Sequence, residues 1–425
     1  MVDFRPFHAL RYTERAGSAA DLICPPYDII NAEAERELLA RSPYNFVRLE
    51  LTEATDAPDP SRYAAAADAY RAWVAEGVLA PDSEPAYYVL RQRFQLAGER
   101  LERYAVLGAL RLEPLGAGVL PHEDTGAQAK RDRLSLMEAA AANFSPIMLL
   151  YRDQGRRMAA LRARAMAHPP VADAHMPDGQ QHTLWRATDE QASAEALLAM
   201  TASHAYVADG HHRYETALAY AAAHSDPAAQ FMLVAMIDFD DPGLAILPYH
   251  RVLRGLDHAA LERVRERLRA LFSTQTIGVA ADGAAPLEEL AAQAGAEGLA
   301  FVAVERGAPP RLLMPAGLAA LRAPAPQGTS VPVWDVEAWA LQEAVLGPAL
   351  GDGYAEHVTA VHDGETALRM VASGEGQLAL LIKGVPTDLF ETVVGAGVRL
   401  PRKSTYFWPK LPSGLLVHAL EGEEA

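Results

Sequence analysis

The spacing of apolar positions along the chain predicts both helices and strands. Segments 32–41, 61–77 and 127–142 are predicted to be helices, and in the second of them the larger apolar side chains fall on one stripe. Two further segments, 86–96 and 101–112, flank the residues AGE and predict a long antiparallel hairpin. This mixture of elements predicts an α/β fold with a mixed sheet and α+β flanks.

The predicted elements divide the chain into three sections. Residues 1–115 form an α+β section with the hairpin, 116–255 form a core in which helix and strand alternate, and 256–425 form an α/β section. The apolar run at 230–239 is typical of a buried central strand, and 245–254 is expected to be its neighbour. Further helices are predicted at 155–167, 189–200, 211–224, 258–271, 286–294, 334–346 and 364–373, and strands at 147–151, 182–187, 205–209, 299–305 and 378–384.

Charge and cysteine content narrow the class of protein. With 38 lysine and arginine residues against 55 aspartate and glutamate residues, the net charge is −17, which disfavours a nucleic-acid partner. Cys24 is the only cysteine, which excludes an internal disulfide and zinc sites of the CxxC type. No signal peptide is recognisable and no window approaches about 18 uncharged apolar residues, so we expect a cytoplasmic protein without a membrane partner. The number of subunits stays open, with a homodimer among the options.

Several widespread catalytic signatures are missing from the sequence. The chain has no GxxxxGK(S/T) phosphate loop, and each of its GxG segments lacks the third glycine of the dinucleotide fingerprint. It also lacks HExxH, GxSxG and the HRD and DFG motifs of protein kinases. These absences exclude most of the well-known enzyme superfamilies.

The strongest candidate site is the segment Asp209–Gly210–His211–His212–Arg213 between a predicted strand and a predicted helix. Backbone N–H groups and the positive end of the helix dipole meet at such a turn. Two imidazoles and a guanidinium beside them favour an anion, with phosphate the expected guest. The alternative is that Asp209 only caps the helix and that the basic residues form a solvated first turn.

A second candidate lies in the loop that contains His122, Glu123 and Asp124. Glu123 or Asp124 is suited to general-base chemistry on a hydroxyl or to holding Mg²⁺. The alternative is that Asp124 or Thr125 caps the next helix and that the charges at 130–133 are its solvent face.

The third candidate combines Lys403, Ser404 and Thr405 with the aromatic residues 406–408 and with Lys410. Basic and hydroxyl groups beside aromatic rings can bind a phosphate and stack a base. The alternative is an aromatic core strand with basic residues at its mouth. Asp28, in the loop CPPYDII, is a weaker candidate, since a loop aspartate often only fixes a turn.

Six segments together resemble a prokaryotic family known as domain of unknown function 1015: CPPYDII, NFVRLEL, LPHEDT with KxDRL, NFSPI, ADGHHRYETA and RKSTYFWPKL. The segment DGHHRYETA is also similar to the GxHR turn of the ParB/sulfiredoxin superfamily, whose members bind nucleotide phosphates at a helix start. That second resemblance implies a ParB/sulfiredoxin-like nucleotide-binding turn in the middle section.

Members of that superfamily differ in chemistry. Sulfiredoxins carry a catalytic cysteine where this chain has His211, so repair of sulfinic acid is not expected. ParB-type switches carry a DNA-binding unit that we do not find. Free-serine kinases have a Pro-His-Glu-like segment upstream of a DGHHR segment. This chain has the two segments in the same order, with Glu123 in the first and Asp209 in the second, although about 85 residues separate the two segments here.

The resemblance implies a nucleotide-dependent phosphotransferase that acts on the hydroxyl of a small metabolite, with free serine first. Glu123, His122 and Asp209 are then the expected catalytic residues, and Asp124 and Asp209 the expected Mg²⁺ ligands. ATP or ADP is the expected nucleotide. Its phosphates are assigned to Gly210, His211, His212, Arg213, Lys403, Ser404, Thr405 and Lys410. A nucleotide-binding regulatory module and a phosphohydrolase stay open as alternatives.

Overall fold

The computed structural model describes residues 2–50, 60–188, 190–201, 204–278, 283–296, 298–325 and 330–421. The chain forms two compact units. The first comprises Met1–Pro121, Thr125–Leu244 and Pro409–Ala425, and the second comprises His122–Asp124 and Ala245–Trp408. The three-section division of the sequence stays a prediction. Within the described ranges, no helix is both long enough and apolar enough to cross a membrane.

The first unit is built on a mixed sheet, as the sequence predicts. Its strand order is β6-β11-β8-β12-β5-β4-β10-β9, with β1 beside β5. Pairs β6/β11 and β8/β12 are parallel and the other pairs are antiparallel. The strands of this unit are β1 Phe4–Arg5, β2 Leu10–Tyr12, β3 Leu79–Pro81, β4 Tyr87–Leu96, β5 Glu99–Arg111, β6 Val119–Pro121, β7 Ala142–Asn143, β8 Ile147–Tyr151, β9 Ala172–His175, β10 Gln181–Ala187, β11 Ala205–Asp209, β12 Phe231–Asp238 and β21 His418–Ala419.

Helices cover this sheet and form a second apolar cluster beside it. One cluster packs the sheet against side chains such as Leu161 and Tyr214, and the other joins Phe46, Trp73 and Phe144. Burial of rings of this size stabilises each cluster, because apolar surface leaves water. The helices of this unit are α1 Ala19–Leu22, α2 Ala32–Arg41, α3 Val47–Glu50, α4 Pro60–Ala75, α5 Ala127–Ala140, α6 Arg157–Ala165, α7 Glu190–Thr201 and α8 His211–Ala223.

The predicted hairpin and central strand are confirmed, but one predicted strand pairing is wrong. Strands β4 and β5 form the hairpin, and β12 lies between β8 and β5 with every residue but Asp238 buried. Segment 245–254 does not pair with β12. It forms β13 Ala245–Leu247 and β14 His250–Leu253 in the second unit, since β5 and β8 already occupy both edges of β12.

The second unit has its own antiparallel sheet, in the order β15-β17-β16-β19-β14-β18, and a two-stranded pair β13/β20. Its remaining strands are β15 Phe272–Thr276, β16 Phe301–Glu305, β17 Arg311–Pro315, β18 Val358–Val361, β19 Leu378–Leu381 and β20 Tyr406–Trp408. Its helices are α9 His258–Leu271, α10 Ala284–Ala294, α11 Ala319–Arg322, α12 Glu337–Ala340, α13 Gly347–Leu350, α14 Gly364–Ser373 and α15 Thr387–Gly395.

Glu337 gives the second unit a pH-dependent stability. Its side chain is buried and lies 2.9 Å from Lys383 Nζ, yet burial raises the pKa of Glu337 from 4.5 to about 7. Between pH 4.5 and about 7, the folded chain therefore keeps a proton on Glu337 that the unfolded chain has lost. The contribution of this proton to the free energy of unfolding is fully present below pH 4.5 and is lost as the pH rises to about 7, a decline of about 3 kcal/mol. Glu337→Gln is expected to flatten that decline.

The measurement is the thermal unfolding midpoint between pH 5 and pH 8. Glu356→Gln, an isosteric change at an exposed glutamate of the same unit, is the control and is expected to keep the wild-type slope. Equal slopes for wild type and Glu337→Gln would show that this carboxyl does not hold the extra proton.

Candidate functional site

A glycine makes the turn from β11 into α8 possible. Asp209 ends the strand, Gly210 has φ +101° and α8 begins at His211. A Cβ on Gly210 would lie 2.5 Å from Cγ2 of Ile147, so the turn needs glycine for both conformation and space. Gly210 is the N-cap, it offers no side-chain cap, and the first turn of α8 has no acidic residue. The alternative in which Asp209 caps the helix is therefore wrong.

Asp209 instead lies between two cations of the first unit. Its Oδ2 accepts from Arg213 Nη2 at 2.8 Å, and its Oδ1 accepts from Lys410 Nζ. All three side chains are mostly buried, at 18, 11 and 7% exposure for Asp209, Arg213 and Lys410. Burial alone would raise the pKa of Asp209, but the charges of Lys410 and Arg213 outweigh burial and hold that pKa well below its usual range.

Lys410 is positioned by the β4/β5 hairpin through backbone contacts. Arg103 donates to the carbonyl of Pro409 at 2.5 Å and to Gln92 Oε1, and Gln92 Nε2 donates to the carbonyl of Lys410 at 3.0 Å. Arg103 is 1% exposed, and burial lowers its pKa to about 10. Sequence reasoning missed Arg103. The available signal was a charged residue in the apolar strand LERYAVLG.

The first turns of α8 also hold the start of α5. His212 Nε2 accepts from the N–H of Gly126 at 2.8 Å, and Glu215 accepts from Thr125 Oγ1 and Lys130 Nζ, both at 2.7 Å. The N-cap of α5 is Gly126, so the alternative in which Thr125 or Asp124 caps this helix is wrong. Because His212 Nε2 is already an acceptor, a phosphate could meet this ring only through Nδ1. His211 is buried.

Three further sequence segments lie within electrostatic reach of Arg213. Its Nη1 donates to the carbonyl of Pro146 at 2.8 Å. Burial alone would lower the pKa of Arg213, but Asp209 and, after it, Asp28, Tyr27 and Glu50 raise it. The loop CPPYDII and the segments NFVRLEL and NFSPI therefore come together at the guanidinium. Sequence reasoning ranked Asp28 low and did not consider Glu50.

His122, Glu123, Lys403 and Thr405 come together in the second unit. The N–H of Lys403 donates to Glu123 Oε2 at 3.2 Å, and His122 Nε2 lies 2.8 Å from Thr405 Oγ1. His122 is 1% exposed and packs edge-on against Phe390. Lys403 has φ +58°, a strained conformation for a residue with a side chain, which fits a position where the backbone holds a carboxylate.

The aromatic segment forms a core strand, as one of its two interpretations expected. Tyr406 and Phe407 are 2 and 1% exposed, and Tyr406 stacks on His362 with ring centroids 4.4 Å apart. Stacking of a base on these two rings is therefore wrong, because their faces are already covered by protein. Ser404 Oγ donates to the carbonyl of Pro401 at 2.5 Å and is also buried.

The predicted site residues thus fall into two sets, one in each unit. The set in the first unit is Asp209, Gly210, His211, His212, Arg213 and Lys410. The set in the second unit is His122, Glu123, Asp124, Lys403, Ser404 and Thr405. The catalytic and phosphate-binding roles of both sets stay predictions.

Asp209 does not fit the role of a Mg²⁺ ligand. Each of its carboxylate oxygens already accepts from a cation, so a divalent ion at Asp209 would be repelled by the positive charges of Arg213 and Lys410. Asp124 is exposed. Over the described ranges, no group of three or more histidine, cysteine, aspartate or glutamate side chains could hold a metal.

Gly210→Ala tests the importance of the turn. Gly374 is a matched control, because it also has the left-handed conformation, with φ +87°, and a Cβ there would meet only Nη1 of Arg306, at the end of a flexible side chain that can move away. We expect Gly374→Ala to cost about 1–2 kcal/mol from the left-handed backbone alone. Gly210→Ala should cost about 1–3 kcal/mol more, because the methyl group overpacks against Ile147. Urea unfolding of both variants measures the difference, and equal losses would show that the turn has room for a side chain.

Comparison with known proteins gives the family. Residues 4–318 match the model of a family described as a protein of unknown function, DUF1015, and the chain belongs to this family. The motif-based assignment is confirmed, although the segment 402–411 lies beyond the matched residues. A search of curated proteins gives no significant match.

Three solved structures show a low similarity to the chain. One is a variant of free serine kinase in complex with AMP, at 12% identity and TM-score 0.37, covering 68% of this chain and 84% of that one. A conserved hypothetical protein from Pyrococcus furiosus shows 13% identity and TM-score 0.37, covering 71 and 92%. SbnI from Staphylococcus aureus, truncated at its C-terminus, shows 11% identity and TM-score 0.37, covering 74 and 87%.

Proposed function

We propose that the protein is a nucleotide-dependent phosphotransferase that acts on the hydroxyl of a small metabolite, with free serine as the first candidate. The observation that carries this proposal is the pairing of Asp209 with both Arg213 and Lys410 at the start of α8. ATP or ADP is the proposed phosphate donor, bound at the turn formed by residues 209–213.

The charges at this turn suit a phosphate. Arg213 has five N–H donors, of which Asp209 and the carbonyl of Pro146 take two. Lys410 is held by Asp209 at the same place, so an arriving phosphate meets two cations that are already oriented. The α8 N-terminus adds the positive end of its dipole, and no acidic residue in its first turn opposes an anion.

The proposed reaction needs positioning and charge neutralisation rather than a covalent intermediate. The acceptor hydroxyl oxygen forms a bond to the terminal phosphorus, the bond from that phosphorus to the bridging oxygen breaks, and the shortened nucleotide leaves. The hydroxyl proton passes to a carboxylate, and Glu123 is the proposed acceptor. Arg213 and Lys410 neutralise the charge that develops on the phosphate oxygens. Because Arg213 and Lys410 already neutralise Asp209, no step is assigned to Mg²⁺ there.

The experiment is a binding and turnover screen of the full chain. ATP, ADP, CTP, GTP and pyrophosphate are tested by thermal shift, and bound nucleotides are then incubated with serine and other small hydroxyl compounds. At about a hundredfold excess over Kd, a nucleotide should stabilise the protein by about 2.7 kcal/mol, a shift of several degrees. An acceptor should then accelerate nucleotide consumption. Binding without acceleration by any acceptor would favour a regulatory module or a phosphohydrolase, and no binding would overturn the proposal.

A further inference from the structure

A small pocket within the first unit is lined in part by Arg213. Its volume is about 40 Å³, and its polar lining is Glu50, Arg133, Asn143, Ser145 and Arg213. That volume admits about three water-sized groups, since one occupies roughly 10–15 Å³ by the same measure. Apolar side chains such as Phe144 complete the wall. The pocket therefore suits the charged end of a small polar molecule.

Glu50 is the acidic group of this pocket and is only half satisfied. Its side chain is 1% exposed, and its Oε1 accepts from the hydroxyl of Ser145. Its Oε2 is buried and has no hydrogen-bond partner in the described part of the chain. An unsatisfied buried oxygen of a charged group costs about 1–3 kcal/mol or more. A donor from a bound molecule would remove that cost.

Asn143 has the opposite requirement. Its Oδ1 accepts from the N–H of Leu233 at 3.1 Å, but its buried Nδ2 has no acceptor among the residues that the structure describes. The pocket thus offers one buried acceptor at Glu50 and one buried donor at Asn143. Arg133 donates through Nη1 to the carbonyl of Glu50 at 2.8 Å, and it adds positive charge to the same lining. A ligand that satisfies both groups carries both a donor and an oxygen acceptor.

We propose that this pocket binds the ammonium and carboxylate groups of a small amino acid, with Glu50 receiving the ammonium and Asn143 donating to the carboxylate. An ammonium group brings three donors to the carboxylate of Glu50, and the guanidinium groups of Arg133 and Arg213 favour an anionic oxygen over a neutral one. A metal ion fits less well, because Glu50 belongs to no group of three or more histidine, cysteine, aspartate or glutamate side chains in the part of the chain that the structure describes. This inference rests on the proposed function, for which it names the acceptor class.

The test measures amino-acid binding separately from nucleotide binding. Isothermal titration of the full chain with glycine, L-alanine, L-serine, ethanolamine and glycerate compares ligands that have both charged groups with ligands that lack one. We expect the amino acids to bind, ethanolamine to bind more weakly because it has no carboxylate, and glycerate to bind least because it has no ammonium. Binding of glycerate as tight as that of serine would overturn the proposal, as would no binding of any amino acid.

Two isosteric variants complete the test. Glu50→Gln removes the negative charge, and Asn143→Asp keeps the acceptor for Leu233 while replacing the amide donor by a carboxylate. Each should weaken amino-acid binding by about tenfold or more, the effect expected of one hydrogen bond to a charged group. Glu138→Gln, at an exposed glutamate of α5, is the control. Unchanged affinity in both folded variants would overturn the proposal.

The outcomes separate this inference from the function on which it rests. ADP and ATP are titrated into the same three variants. Their nucleotide affinity is expected to stay within about twofold of wild type, because neither Glu50 nor Asn143 is among the residues proposed to hold phosphate. Nucleotide binding without amino-acid binding would overturn the amino-acid site but not the proposed phosphotransferase function. Amino-acid binding without nucleotide binding would overturn the phosphotransferase function but not the amino-acid site.

Discussion

Arg213→Ala is expected to weaken nucleotide binding by about 100-fold and to abolish the thermal shift given by ATP or ADP. Arg213 supplies charge-assisted donors at the start of α8, and each such bond contributes about 1.5–3 kcal/mol. Its loss also removes one of the two cations, Arg213 and Lys410, that pair with Asp209. That carboxylate would then repel a phosphate more strongly than it does in the wild type.

The experiment must distinguish a loss of nucleotide binding from a loss of folding. Breaking a buried ion pair costs about 3–5 kcal/mol, so the thermal unfolding midpoint of Arg213→Ala without ligand should be lower than that of the wild type. Arg213→Lys keeps a positive charge and should recover part of the nucleotide affinity, whereas Arg131→Ala removes an exposed arginine of α5 and should leave binding unchanged. Affinity is measured by titration at a temperature where circular dichroism shows each variant folded. Wild-type affinity in folded Arg213→Ala would remove the turn from the phosphate site.

The elements that the sequence predicts well are those set by local patterns. The hairpin β4/β5 depends on two adjacent segments and a short turn, and the buried strand β12 is marked by its unbroken apolar run. The prediction for segment 245–254 gives the wrong neighbour, because its apolar pattern indicates a buried strand but not which sheet edge that strand joins. Pairing partners depend on contacts between distant residues, and these leave no mark in a local pattern.

The candidate site shows the same limit. The turn at Asp209–Gly210 is predictable, because strand, glycine and helix follow one another along the chain. The partner Lys410 lies 201 residues away and is placed by Arg103, so no spacing rule finds it. Glu50 comes near Arg213 in the same way, from a segment that precedes it by more than a hundred residues. Only the fact that both segments are among the motifs resembling one family could have pointed to Glu50.

Glu123→Gln is expected to lower the rate of phosphate transfer by about 100- to 10,000-fold, the range contributed by a general base, while nucleotide affinity changes little. Glutamine is isosteric and keeps an oxygen that can accept the N–H of Lys403, so the local backbone should be preserved. What it cannot do is take the proton of the acceptor hydroxyl. A fall in kcat without a matching change in nucleotide Kd is the signature of a group that acts on the transferred proton.

The control for this variant is Glu375→Gln, at an exposed glutamate of the same unit, which should retain wild-type turnover. A variant with normal turnover would take Glu123 out of the mechanism. The kinase hypothesis would then need another proton acceptor. The phosphate site at Arg213 would be unaffected, because its test does not depend on turnover.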